Sequence, residues 1–300
     1  MKSANRWRTC IAILGASLAC GLANAQPATP AGARPPVYWQ VLDFPPYYIV
    51  SGAQQGQGLS DQLLRDVQKL LPEFEHHNEP SAPLRQTAQM KAGKPACTAS
   101  MLRTPEREQF MDFALHPFTW QLPQVLLMPA SSPLAKKLQR DSEGRISLAD
   151  ALQIADFHLG VTARRSFGAE LDPLLARARA ARPDAVREFR QDSLLAEALR
   201  LMKLGRFDAT LGYPTEAEYL RQNEPALVSD LLYLPLRETA GLLAQYFGCS
   251  RHPDARHLLE LMNAREADLA PARRHVRDAY TERLPAALRS HYLKLRAELE

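Results

Sequence analysis

The chain is poor in glycine, in aromatics and, past its first 25 residues, in cysteine. Glycine occurs 14 times in 300 residues and proline 23 times, a balance that excludes collagen-like repeats and Gly/Ser low-complexity sequence. Aromatic residues make up 7%, while 46% of residues are hydrophobic and 23% charged, so wholesale disorder is excluded as well. No later segment approaches the roughly 18 consecutive apolar residues that read as a membrane span. The motifs that announce common chemistries are missing. There is no H-E-x-x-H, no P-loop and no G-x-S-x-G. The eight histidines are scattered, and His252 and His257, five apart, fall about 140° from each other around a helix. Neither a metal nor any other cofactor is expected.

What is present begins with a leader. Lys2, Arg6 and Arg8 precede a short apolar stretch from Cys10 to Leu22, and Ala23-Asn24-Ala25 supplies small residues before Gln26. This is the pattern of a cleavable secretory signal peptide over residues 1–25. Lipid attachment at Cys20 is the alternative, with Ser17 standing where a large aliphatic residue is usual. Removing the leader takes away three basic residues and no acidic one, so 37 Lys+Arg becomes 34 against 33 Asp+Glu. A nearly neutral mature chain argues against a nucleic-acid binder. Cys97 and Cys249 then remain as one pair in an oxidising compartment. A disulfide is the preferred reading, and two buried free thiols the other.

Residues 26–35 read as a flexible extension. From there, strand and helix patterns alternate. Val37–Leu42 and Ala96–Met101 read as strands, as do residues 123–128, 158–162, 186–189, 207–212, 231–236 and 242–246. Helices are expected after Ser60-Asp61, over Pro83–Ala92 and from Ser147 to about Ala155. Further helices should run up to about Ala180, from an Asp192 or Ser193 cap to Gly205, and from Pro253 to the end. Alternation over more than 200 residues implies an α/β fold with parallel pairing. The all-helical tail must return to a lobe already built.

One segment concentrates chemistry. Ser100-Met101-Leu102-Arg103-Thr104-Pro105-Glu106-Arg107 ends a strand, caps a helix and presents a guanidinium at once. Strand ends and helix N-termini are where α/β folds bind ligands, and an Arg fork matches a carboxylate. The competing reading is a solvated Arg on a surface turn.

The Thr104-Pro105-Glu106-Arg107 segment, with Phe110 and Phe113 and then Pro117, resembles the signature of family 3 extracellular solute-binding proteins, the periplasmic amino-acid-transport class. Phe44-Pro45-Pro46-Tyr47 with Gly58 and Asp61, and Gly205-Arg206-Phe207-Asp208-Ala209, are similar to that family in order and spacing over about residues 36–265. More narrowly, the pair Cys97 and Cys249 with Tyr213-Pro214 resembles an uncharacterised subgroup. The resemblance implies a two-lobed type II fold with mixed sheets and helices on both faces. Lobe 1 would hold residues 36–120 and 240–300, and lobe 2 residues 121–239. It implies a periplasmic monomer, without catalysis, that closes on a small carboxylate-bearing ligand and serves an inner-membrane permease or a sensor. It makes Arg107 the carboxylate clamp, Ser100 a hydroxyl contact and Tyr47 a wall of the cleft. Two positions depart from the pattern. Leu102 stands where a second polar contact is common, and Tyr213 where an acid usually holds the ligand's ammonium. A phenol carries no charge at neutral pH, so the ligand lacks an α-amine or another acid, such as Glu216, holds it. Asp208 is a weaker candidate. Two other readings differ in class: an interaction module for a signalling partner, favoured by a cleft too closed or apolar to admit a ligand, and an enzyme using Asp61, Glu79 or Glu216 as acid or base.

Overall fold

The protein, seen in a computed structural model, is described over residues 34–163, 165–189, 194–239 and 241–299. The expected leader, the expected extension up to residue 33 and the expected Asp192 or Ser193 cap lie outside these residues. The strands are β1 Pro36–Val41, β2 Glu75–Pro80, β3 Ala96–Met101, β4 Met111–Phe113, β5 Thr119–Gln121, β6 Val125–Pro129, β7 Leu159–Thr162, β8 Val186–Phe189, β9 Ala209–Gly212, β10 Leu231–Leu234 and β11 Leu243–Ser250. They form two sheets. The first runs β2-β1-β3-β11-β4, with β5 also paired to β11; the second runs β10-β6-β9-β7-β8. Pairing is parallel where helical crossovers join strands, as in β1 with β2 and β3, and β7 with β8 and β9. It is antiparallel around β11 and β6, the strands by which the chain returns to the first sheet and enters the second. The architecture is thus two-lobed α/β with mixed sheets.

Local sequence explains most elements. Val125 to Met128 is an unbroken apolar run because β6 is buried on both faces. Helix Leu59–Leu70 turns Leu63, Leu64 and Val67 inward. Gly58, just ahead of it, has no room for a Cβ, which would lie 2.3 Å from the Tyr47 carbonyl oxygen. Helix Leu194–Lys203 is followed by Gly205 at φ +68°, a left-handed conformation that glycine adopts without steric cost. Cys97 and Cys249 stand directly opposite in the β3–β11 ladder, and a disulfide joins them with their Cα atoms 4.0 Å apart.

Three elements differ from the sequence reading. β2 has the sequence Glu-His-His-Asn-Glu-Pro, with no apolar alternation, and forms as an edge strand on β1. Its side chains are held from β1: Trp39 Nε1 donates to His76 Nδ1 at 3.0 Å, and His77 stacks on Tyr38. The helix begun by Ser147 stops at Ala151 rather than near Ala155. Arg182 Nη2 donates to the carbonyls of Leu152, Ile154 and Phe157, which holds that stretch as a turn and lets Phe157 bury completely. Helix Pro214–Asn223 forms where no helix is expected, with Pro at its first turn and Glu216 at its third residue as start signals.

The tail forms helices Pro253–Ala264, Ala270–Glu282 and Ala286–Ala297. Among the described residues, no helix is long and apolar enough to cross a membrane.

Candidate ligand-binding cleft

The first wall is built from the strand ends of the first sheet, and the anion-binding candidates stand at the C-terminal end of β3. Thr104 caps the short helix Pro105–Glu108, its hydroxyl accepting from Arg107 N at 3.3 Å. Arg107 folds back, and its Nη1 donates to the Leu102 carbonyl at 2.7 Å. The guanidinium is half-buried, and among the described residues no carboxylate lies within ion-pair distance of it. Burial, foremost, lowers its proton affinity, while the charge of Glu106 favours the protonated form. A guanidinium stays protonated under such a balance. Ser100 takes φ +65°, left-handed for a non-glycine residue, where the β3–β11 register shifts. Its hydroxyl reaches Gln245 Oε1 at 3.5 Å. Gln245 is buried, and its Nε2 has no hydrogen-bond partner. A buried donor without an acceptor is costly and rare.

The second wall is built on helix starts of the second sheet. Tyr213 precedes helix Pro214–Asn223, and Glu216 Oε2 accepts from Tyr213 N at 2.9 Å. Arg165 follows β7 and donates through Nη2 to the same Glu216 oxygen at 3.2 Å. Both side chains are enclosed, 12% and 3% exposed respectively. The Tyr213 phenol is pushed up to about 12, by burial first and by the Glu216 charge, against the pull of Arg165 and Arg107 and a hydrogen bond with Gln121. It is neutral at any physiological pH.

The walls meet unevenly. In the inner part, Tyr47 and Thr215 share a buried hydrogen bond at 3.0 Å, and Tyr47 meets Tyr213 edge-on at 6.1 Å. Leu122, Tyr280 and Tyr292 complete an apolar cluster there. Leu122 N donates to Tyr280 Oη, and Tyr292 Oη donates to the Trp120 carbonyl, so neither ring is free to swing. Farther out the walls part around a cleft of about 700 Å³, whose lining includes none of Tyr47, Ser100, Arg107 and Tyr213. Phe44, Pro83 and Arg85 line one side, Leu195 and Tyr219 the other, and Glu216 also faces it. Phe44 therefore borders open space, whereas Tyr47 is packed behind it, 5.1 Å away and stacked.

Solved structures of similar fold include the substrate-binding protein of an amino-acid ABC transporter, 17% identical, covering 82% of this chain and 98% of its own, with a TM-score of 0.57. A histidine kinase sensor domain with similarity to periplasmic binding proteins is 15% identical and covers 81% of this chain and 95% of its own, with a TM-score of 0.57. A periplasmic binding protein of an arginine transport system from Legionella pneumophila is 15% identical, covering 82% and 99%, with a TM-score of 0.56. The fold is that of the periplasmic binding proteins. No family model matches the chain, and neither does any curated protein.

Within this fold the other acidic candidates are occupied. Asp208 Oδ2 accepts from the backbone N and Nδ1 of His158. Asp61 Oδ2 accepts from Ile49 N and Gly58 N and so fixes the loop before its helix. Glu79 accepts from Gln40. Glu216, considered as a second acid for an ammonium, already holds Arg165. Among the described residues, no group of three His, Cys, Asp or Glu side chains is arranged to hold a metal. Arg165 is the residue that sequence reasoning missed. The signal was available: Arg165, like Arg107, follows shortly after a strand's C-terminal end.

Proposed function

We propose that the protein is a periplasmic solute-binding protein, not an enzyme, whose lobes (residues 36–120 with 240–300, and residues 121–239) close on a small carboxylate-bearing ligand. It would reach the periplasm through its cleavable leader, act as a monomer, and pass its ligand to an inner-membrane permease or report it to a sensor. The observation that carries this reading is Arg107, a half-buried guanidinium at a capped strand end with no carboxylate within ion-pair distance among the described residues. Such a cation is balanced by an incoming anion, and the Gln245 amide beside Ser100 offers a further unused donor. Ser100 and Tyr213 would complete the contact, with Tyr47 backing it. The neutral Tyr213 phenol supports a ligand without an α-ammonium. Native mass spectrometry of freshly purified protein identifies the co-purified acid. Calorimetry then compares wild type with Arg107→Ala, where losing a charge-assisted contact to a buried group costs roughly 2–5 kcal/mol. Binding should weaken by about 30-fold or more, and Arg107→Lys should recover part of it, because an ammonium lacks the planar fork. Equal binding by Arg107→Ala overturns the assignment.

The packed inner tyrosines favour one second reading, in which the closed pair of lobes is itself what a sensor recognises. A protein that carries no small molecule, yet binds a membrane sensor, would select it.

A further inference from the structure

Arg165 has surroundings that neither a surface arginine nor a simple ion pair requires. Its guanidinium carbon lies 5.5 Å from the centre of the Phe44 ring, 5.6 Å from that of Phe167 and 5.6 Å from that of Tyr213. Three aromatic faces around one cation, with a buried carboxylate at its end, make a complete guanidinium-binding cage. The cage is assembled from both walls. Phe44 belongs to the first and borders the open cleft, while Phe167, Tyr213 and Glu216 belong to the second. We propose that Arg165 is a built-in occupant of this cage and sets the specificity of the cleft, turning away guanidinium and ammonium heads and leaving the carboxylate end of a ligand to Arg107.

The charges support this. The cage contains one cation and one anion, already paired at 3.2 Å. A second cation entering between Phe44 and Tyr213 would meet Arg165 at contact distance in a site shielded from water, where like charges repel strongly. The buried carboxylate that would offset it is committed. Glu224, at the outer rim of the cleft, is paired with Arg200, and Asp43 is exposed to solvent. An acid with an uncharged remainder meets none of this repulsion. The ligand-class half of the inference rests on the solute-binding reading; the cage itself does not.

The test vacates the cage. Arg165→Ala removes the guanidinium, and methylguanidine at millimolar concentration is the probe, with sodium chloride as the ionic-strength control. Calorimetry and Tm are read on wild type and variant. The variant should bind methylguanidine saturably, about tenfold or more tighter than wild type, with a rise in Tm. Methylammonium, which lacks the plane that stacks on rings, should do less. Glu216→Gln in the Arg165→Ala background should weaken the gain. Should Arg165→Ala not fold, Arg165→Gln carries the same test, because the Gln side chain ends about where the guanidinium begins. Equal responses of wild type and variant overturn the proposal. So does failure of both variants to fold even with methylguanidine present, since Arg165 is then only a strut. A gain of methylguanidine binding in a protein whose wild type captures no carboxylate leaves the cage standing and removes the solute-binding reading instead.

Discussion

In the first sheet, Trp39, Phe118 and Phe247 meet edge to face, at 6.1 and 5.1 Å, around a disulfide between neighbouring strands. The second sheet packs on one face against a mostly aliphatic cluster, Leu126, Leu159, Leu211 and their neighbours with Phe157 and Phe167 among them, and has no covalent link among the described residues. The first sheet is a discontinuous assembly, because β11 arrives 152 residues after the strand it joins. The second is nearly continuous in sequence. The lesson is that the staple sits where loop closure costs most entropy, while the local sheet relies on packing alone.

The largest test of that contrast is to cut the staple. A closed loop of this length stabilises by about 5 kcal/mol in the chain-entropy model. Cys97→Ala with Cys249→Ala should lose on the order of 2–5 kcal/mol in denaturant unfolding. Hydrogen exchange should accelerate in β3 and β11 before β6 and β9. Equal acceleration in both sheets would erase the distinction.

Next comes the packing of the second sheet. Phe157 is fully buried, so Phe157→Ala should cost about 3–4 kcal/mol through lost burial and the cavity left behind. Its exchange signature should be the reverse, with β7 and β9 loosening first. A loss below 1 kcal/mol would mean that the region collapses around the gap and that packing there is not specific.

The smallest effect separates the edge of the first sheet from its centre. His76 Nδ1 accepts from Trp39 and His76 Nε2 donates to the Leu71 carbonyl, an arrangement that uses the neutral ring. Burial, foremost, holds its pKa below the ordinary histidine value. The unfolded chain therefore binds the proton first, so stability is present above about pH 6.5 and declines as pH falls through the folded value. The Tm should drop modestly between pH 7.5 and 5.5, with a change in Trp39 fluorescence. His76→Gln should flatten that part of the profile. An unchanged slope would assign the acid sensitivity elsewhere.

Much of this is legible in the residues alone. The period-two and helical patterns marked most strands and helices, because burial of one face imposes them directly on the residues. β2 was not readable, since Glu75 to Glu79 carry no apolar alternation and the strand exists only because β1 offers a partner edge and Trp39 an anchoring bond. The extent of the Ser147 helix was likewise decided from a distance, by Arg182. In the cleft, the capped turn before Arg107 was legible as local chemistry. That no carboxylate pairs with Arg107, that Tyr47 is packed while Phe44 borders the opening, and that Arg165 sits among three rings depend on residues far apart in the chain.

The sequence by itself therefore determined the α/β alternation, the helix starts and the candidate anion-binding turn, all consequences of interactions within a few residues. Tertiary structure alone decided which charges are balanced. Arg107 and Arg165 stand in similar local contexts after strand ends, yet one keeps an unpaired guanidinium and the other is neutralised by Glu216, 51 positions away. Pairing is set by distance in space and by how far water is excluded, and neither is encoded in any short stretch of chain.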